Sequence, residues 1–336
     1  MANLLDRTIT WGDASEEVVQ IGDDFFFTLA GVKKKLFGLD VTPVNPLCSD
    51  PAKTWTWQLP ENLTFLGIQL AYLQSIGVRL IRLDISHSYV ADHDQEFLDY
   101  RALFDLIFSY KILIIPKIEI KLYAGFNTAI KAGNVAGLVI PYTGGDTVAA
   151  WLGRLLPIMA TYTNIVAVQL DNELDYLTGD MDYTAANVTT YLNYFSGLVK
   201  SNMANCLTMH NICDDNTNVL DIKTACLAAV DIPSIDTYGS NATTMITTLG
   251  IATAARGITG NWWCMKTGYS GDSTLTTPAI VDASFKSRAT VSLLCATIAD
   301  SHNGAEYFDW YGIPITSLVN LASYLQSLQK IGNLIT

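Results

Sequence analysis

The sequence predicts a single α/β domain, a (β/α)8 TIM barrel preceded by an N-terminal β-hairpin cap. Three observations point there. Short apolar strands alternate with amphipathic helices along the chain. Such alternation implies parallel strands, because each crossover returns the chain to the same end. Eight units fit into 336 residues with no linker, low-complexity tract or charge block between them. An open doubly wound sheet is the alternative, but it ordinarily begins with a glycine-rich nucleotide turn. The turn after the first strand here reads Thr42-Pro43-Val44-Asn45-Pro46, so the closed barrel is preferred.

Residues 1–34 are expected to form the hairpin cap and 35–336 the barrel. Residues 17–21 and 25–29 flank Gly22-Asp23-Asp24, which has hairpin-turn chemistry. Such a hairpin is expected to close the N-terminal mouth. Barrel strands are expected at 35–41, 78–85, 112–120, 165–170, 206–212, 231–236, 261–267 and 304–310. Helices are expected between them. In 62–75, Leu66, Leu70 and Leu73 fall at spacings of four and three, and Gly77 ends the pattern. Segments 95–110, 146–162, 184–203, 283–301 and 315–331 follow similar logic. Segment 219–228 is short, and 243–255 is rich in threonine, a middling helix former.

Half of the residues are hydrophobic and 15% are charged, so a substantial core is feasible and global disorder is excluded. A net charge of −12 argues against a nucleic-acid surface, which needs a basic footprint. No stretch reaches the length of apolar sequence that a membrane span requires. The first seven residues lack the basic-then-apolar pattern of a signal peptide, and action outside the cell stays open. The six cysteines show no C-x-x-C spacing. Cys206 and Cys213 flank a strand that contains His210, but the close ligand spacings of a zinc site are missing. No metal or cofactor is therefore expected.

In this fold the active site lies at the C-terminal ends of the strands. The fourth strand, 165–170, runs directly into Asp171-Asn172-Glu173. The other ends offer Asp40 or Thr42, Arg82 with Asp84, Glu119, His210 with Asn211, Asp236 with Tyr238, Lys266 and Trp310. Acids, amides and aromatic faces converging on one mouth suit a sugar: the rings stack on its C–H surface, and the polar groups bind its hydroxyls.

This ordered set resembles the large clan of retaining (β/α)8 glycoside hydrolases that contains cellulases, β-mannanases and β-galactosidases. The resemblance covers nearly the whole chain. It is carried by Phe37-Gly38-Leu39-Asp40, the run from Ile76 to Arg82, Asn172-Glu173, Asp236-Thr237-Tyr238, Lys266-Thr267-Gly268-Tyr269 and Phe308-Asp309-Trp310. It implies that Glu173 is the general acid/base and that Asn172 binds the hydroxyl beside the scissile bond. It further implies that Arg82 holds the nucleophile, Tyr238 lies close to it, and Trp310 floors the sugar site.

The chain departs from the clan at one position. Lys266 stands where the resemblance expects the nucleophilic glutamate, and an ammonium cannot form the glycosyl-ester intermediate of a retaining enzyme. It also places a cation near Arg82, which calls for an intervening acid such as Asp84, Glu119 or Glu306. Glu119, Asp236 or Glu306 could serve as base in an inverting reaction if it lay about 6.5–9.5 Å from Glu173.

Several residues carry a structural reading beside the functional one. Arg82 is equally suited to an ion pair with an acid on another strand, and His210 to a hydrogen-bonded core position. Trp262 and Trp263 alternate across their strand, so one is expected to face the helices. Three functions follow: a glycosidase acting on a β-linked oligo- or polysaccharide, a catalytically silent glycan-binding relative, and a Schiff-base barrel enzyme using Lys266.

Overall fold

The computed structural model describes residues 3–41, 60–75, 77–85, 93–140, 145–176, 182–213, 220–237, 261–267 and 289–295. The chain opens with four antiparallel strands, β1 (Asn3–Thr10), β2 (Glu16–Gly22), β3 (Phe27–Leu29) and β4 (Val32–Lys34), paired in chain order. The expected hairpin is the β2–β3 pair, in which Val19 faces Leu29 and Ile21 faces Phe27. β1 and β4 widen it to a sheet.

Eight parallel strands follow: β5 (Leu36–Val41), β6 (Leu80–Ile85), β7 (Leu113–Ile118), β8 (Ala167–Leu170), β9 (Leu207–Cys213), β10 (Ile232–Thr237), β11 (Trp262–Thr267) and β12 (Ala289–Cys295). Each pairs with its sequence neighbours, and β12 pairs back onto β5, so the ring closes. The described helices lie between strands: α1 (Pro60–Ser75), α2 (His93–Ser109), α3 (Phe126–Lys131), α4 (Val148–Met159), α5 (Ala185–Asn202) and α6 (Leu220–Ala228). Helix α5 begins with a reciprocal capping box. The Thr184 hydroxyl accepts from the Asn187 amide, while the Asn187 side chain accepts from the Thr184 amide.

One expectation is corrected. The strand that closes the ring is Ala289–Cys295, inside the segment 283–301 read as helical; Val291 pairs with Leu36 and Leu293 with Gly38. A short run of this kind cannot be told from a piece of buried helix by periodicity alone. The segments 243–255, 304–310 and 315–331 lie outside the described residues.

Alternation along the strands splits the side chains into two cores. Ile81, Leu83 and Ile85 of β6, with Ile114 and Ile118 of β7, pack outward with the helices. Leu80, Leu113, Ile115, Ala167, Met209, Ile232 and Trp263 point the other way and join Leu5, Ile9, Val19, Ile21, Phe27 and Leu29 of the N-terminal sheet. Polar bonds fasten the sheet at the same end. The Arg7 guanidinium donates to the carbonyls of Thr163 at 2.9 Å and Ile165 at 2.7 Å, and Asn261 donates to the Asp24 carbonyl at 2.8 Å. Thus the ring interior is apolar where the strands begin. It turns polar where they end.

Candidate active site

Among the described residues, polar side chains inside the ring form a hydrogen-bonded chain. Arg82 on β6 is fully buried, and its Nη1 donates to Gln169 Oε1 on β8 at 3.1 Å. The same Nη1 lies 3.6 Å from Asp236 Oδ1 on β10, which makes an ion pair rather than a hydrogen bond. Gln169 Nε2 donates to Asn211 Oδ1 on β9, and Asn211 Nδ2 donates to Asp236 Oδ2 and, at 3.0 Å, to Asn172 Oδ1. Asn172 Nδ2 finally donates to Glu173 Oε2 at 3.2 Å. Contacts linking β6 with β8 and β10 must cross the inside of the ring, so these side chains meet within it.

Glu173 ends the chain in an unusual backbone. Its φ is 46° and that of Asp171 is 59°, in the left-handed region that few non-glycine residues occupy. Such conformations cost about 1–3 kcal/mol each and persist where the surroundings over-determine them. The Glu173 amide donates to the Asn211 carbonyl at 3.1 Å, and its carbonyl accepts from Lys121 Nζ at 3.2 Å. Its Oε1 has no hydrogen-bond partner among the described residues.

A second charged group sits at the ends of β6 and β7. Lys117 Nζ lies 2.8 Å from Asp84 Oδ1 and 3.1 Å from Glu119 Oε2. The two carboxyl side chains are 24% and 17% exposed, whereas that of Asp236 is fully buried. Of the described acids weighed as a second carboxylate, Glu119 is therefore open to solvent. Asp236 is sealed against Arg82. Among the described ion pairs, Arg82 meets Asp236, while Asp84 and Glu119 meet Lys117.

His210 does not join this chain. It alternates away from Met209 and Asn211, is fully buried, and its Nδ1 donates to the Leu170 carbonyl at 2.6 Å. Its Nε2 accepts from the Leu174 amide at 3.3 Å. Burial, the largest influence, lowers its pKa to about 4, so the ring is neutral near pH 7. Both nitrogens hold the backbone around Glu173, the structural role weighed for it from sequence. Trp262 packs with the helices and Trp263 with the interior, as their alternation requires.

The Lys266 backbone pairs with Asp236, but only through an irregularity. Ile235 pairs with Cys264 and Asp236 with Lys266, so β11 carries one extra residue there. Bulges of this kind commonly re-aim strands beside active sites. Tyr238, Trp310 and Glu306 lie outside the described residues.

Gln169 and Asp171 were not singled out from sequence, although Gln169 is a lone polar residue in an apolar strand, which was a usable signal. Asp171 is fully buried and accepts from the amides of Ile120, Lys121 and Asn172 and from the Tyr191 hydroxyl. Burial chiefly, and then the charge of Glu119, raises its pKa to about 6, against the opposing pull of Lys121 and the Tyr191 and Asn172 donors. The folded protein therefore holds this proton more tightly than the unfolded chain. Its contribution to stability is complete below about pH 4 and is lost as pH rises through about 6, a change of about 3 kcal/mol. Urea unfolding of the parent and Asp171→Asn across pH 4 to 7 measures it. Parallel pH curves for the two proteins would refute the shift.

The closed parallel ring has the barrel fold of the clan-A glycoside hydrolases. Among solved structures, a GH5_18 protein from Bifidobacterium longum subsp. infantis superposes with a TM-score of 0.62 at 10% identity, covering 88% of this chain and 79% of that one. A GH5_18 variant from Streptomyces cattleya, in complex with Manb1-4GlcNAc, gives 0.60 at 12%, covering 81% and 73%. A β-mannanase from the blue mussel Mytilus edulis gives 0.55 at 9%, covering 90% and 94%. At such identities the likeness is one of fold. No protein-family model and no curated protein matches the sequence.

Proposed function

We propose that the protein is a glycoside hydrolase-like barrel that takes a β-linked oligosaccharide at the C-terminal face of its strands. In this reading Glu173 is the general acid/base, and Lys266 stands at the nucleophile-equivalent position. Arg82, Asn172, Asn211, Tyr238 and Trp310 make up the rest of the sugar site. The observation that carries it is the carboxyl of Glu173, set at the end of β8 and joined through Asn172 to a buried network that reaches Arg82. The architecture is completed as a full (β/α)8 barrel over residues 35–336, with residues 1–34 as a cap that keeps its floor dry.

The place of Lys266 favours a second reading, in which the cleft binds a glycan without cleaving it. Asp236 is its register neighbour and already pairs with Arg82, so Arg82 has a buried counter-ion without a nucleophilic carboxylate. The deciding experiment assays the parent, Glu173→Gln and Lys266→Glu on a panel of aryl β-glycosides, with calorimetric binding of mannan and β-glucan oligosaccharides. Binding with slow or no turnover by the parent is expected. Loss of a general acid lowers any turnover by roughly 100- to 10,000-fold, so Glu173→Gln should remove what remains. Robust parent turnover abolished by Glu173→Gln would end the silent reading and point to Glu119 or another acid as the second carboxylate. No turnover and no binding by any of the three proteins would end the carbohydrate reading itself.

A further inference from the structure

The turn that carries Glu173 is built on alternating acids, Asp171, Glu173 and Asp175, and the outer two are wholly committed. Asp171 Oδ2 accepts from the Ile120 amide at 3.2 Å, the Lys121 amide at 3.1 Å and the Tyr191 hydroxyl at 2.7 Å, and its Oδ1 accepts from the Asn172 amide at 3.1 Å. It ties the β8 turn to the segment after β7 and to α5. Asp175, also fully buried, accepts from the Cys213 amide at 3.0 Å and from Lys223 Nζ. That ammonium, itself buried, donates as well to the Cys213 carbonyl. Asp175 thus ties the other side of the turn to the end of β9 and to α6.

Two buried carboxylates within five residues are an expensive way to hold a turn. Each gives up hydration that only close, multiple hydrogen bonds offset. Apolar side chains would pack a loop more cheaply, but they cannot fix its backbone direction. Between the clamps Glu173 has a left-handed φ, is held at both its amide and its carbonyl, and keeps Oε1 uncommitted among the described residues.

We propose that Asp171 and Asp175 are positioning residues, a pair of buried carboxylate clamps that hold the β8 turn in the conformation that aims the Glu173 carboxyl. The functional meaning of the clamps rests on the proposed role of Glu173; their mechanical action does not. Each clamp fixes one side of the turn, so loss of either lets Glu173 relax toward ordinary backbone geometry. Its bond to Asn172 then changes. Tyr191 belongs to the same device through its hydroxyl.

The test uses the full chain with carbon-13-labelled glutamate, Glu173 being identified by its absence in Glu173→Gln. Asp171→Asn and Asp175→Asn are expected to move the carboxyl carbon-13 resonance of Glu173, since its hydrogen-bond environment changes. Amide exchange should accelerate about tenfold or more at Ile120, Lys121 and Asn172 in the first variant and at Cys213 in the second, as loss of a charge-assisted bond implies. Exchange in β6 should hold. Should Asp171→Asn fail to fold, Tyr191→Phe, which removes one donor, reads out the same amides. An unmoved carboxyl resonance together with unchanged local exchange, whatever happens to the melting temperature, overturns the proposal. Binding of cellotetraose and mannotetraose is measured alongside. Binding by the parent that the clamp variants retain at full strength also overturns it. No binding by the parent ends the glycan reading and leaves the carboxyl-resonance and exchange results to decide the clamps.

Discussion

Asp236→Ala is expected to destabilise the protein by about 3–5 kcal/mol, because it removes one partner of a fully buried ion pair. Arg82 and Asp236 have no solvent exposure, and the same carboxylate accepts from Asn211. The loss therefore reaches the amide chain that ends at Glu173. Asp236→Asn retains an acceptor for Asn211 and should cost only part of this. Replacing both partners by apolar residues, Arg82→Met with Asp236→Leu, should recover much of the stability, since a well-packed apolar pair avoids the cost of burying two charges. Urea unfolding of the three proteins decides the matter. A destabilisation below about 1 kcal/mol for Asp236→Ala, the value of an exposed pair, would show that the charges are not sealed.

Trp263→Ala should cost a similar amount, about 3–5 kcal/mol. The indole is fully buried on the interior face of β11, stacked on Phe27 with ring centroids 5.4 Å apart, and its Nε1 donates to the Phe25 carbonyl at 3.0 Å. One side chain thus joins the ring to the N-terminal sheet by packing and by a hydrogen bond. Trp263→Phe keeps most of the packing and loses the bond, so it should lose only about 1–2 kcal/mol. Equal losses in the two variants would mean that the hydrogen bond, not the buried ring, holds the sheet. A two-step unfolding curve in Trp263→Ala would show the sheet parting before the ring.

The ring was legible in the sequence wherever alternation met a polar strand end. Leu80, Arg82 and Asp84 share one face, and a strand that puts apolar residues low and charged residues high announces both its direction and its site. The final strand was not legible, because the short run Ala289–Cys295 has equal claims to be helix by periodicity. At the site, Glu173 was visible as an acid after a buried strand. Its left-handed backbone was not, since glutamate has no preference for that region and the bonds that impose it come from Asn211 and Lys121, distant in sequence. The same holds for Asp175 and Lys223. They lie 48 positions apart with no local pattern to pair them.

The fastening of the first sheet to β11 has a consequence for biosynthesis. Asp24 and Phe25 receive their bonds from Asn261 and Trp263, 237 and 238 positions later. At ribosomal speeds of about 5–20 residues per second, the sheet waits roughly 12–48 seconds for these partners. During that interval Val19, Ile21, Phe27 and Leu29 lack the indole they finally pack against. This sheet leaves the ribosome long before the strand that seals it, so nascent-chain chaperones would meet it as an open apolar face.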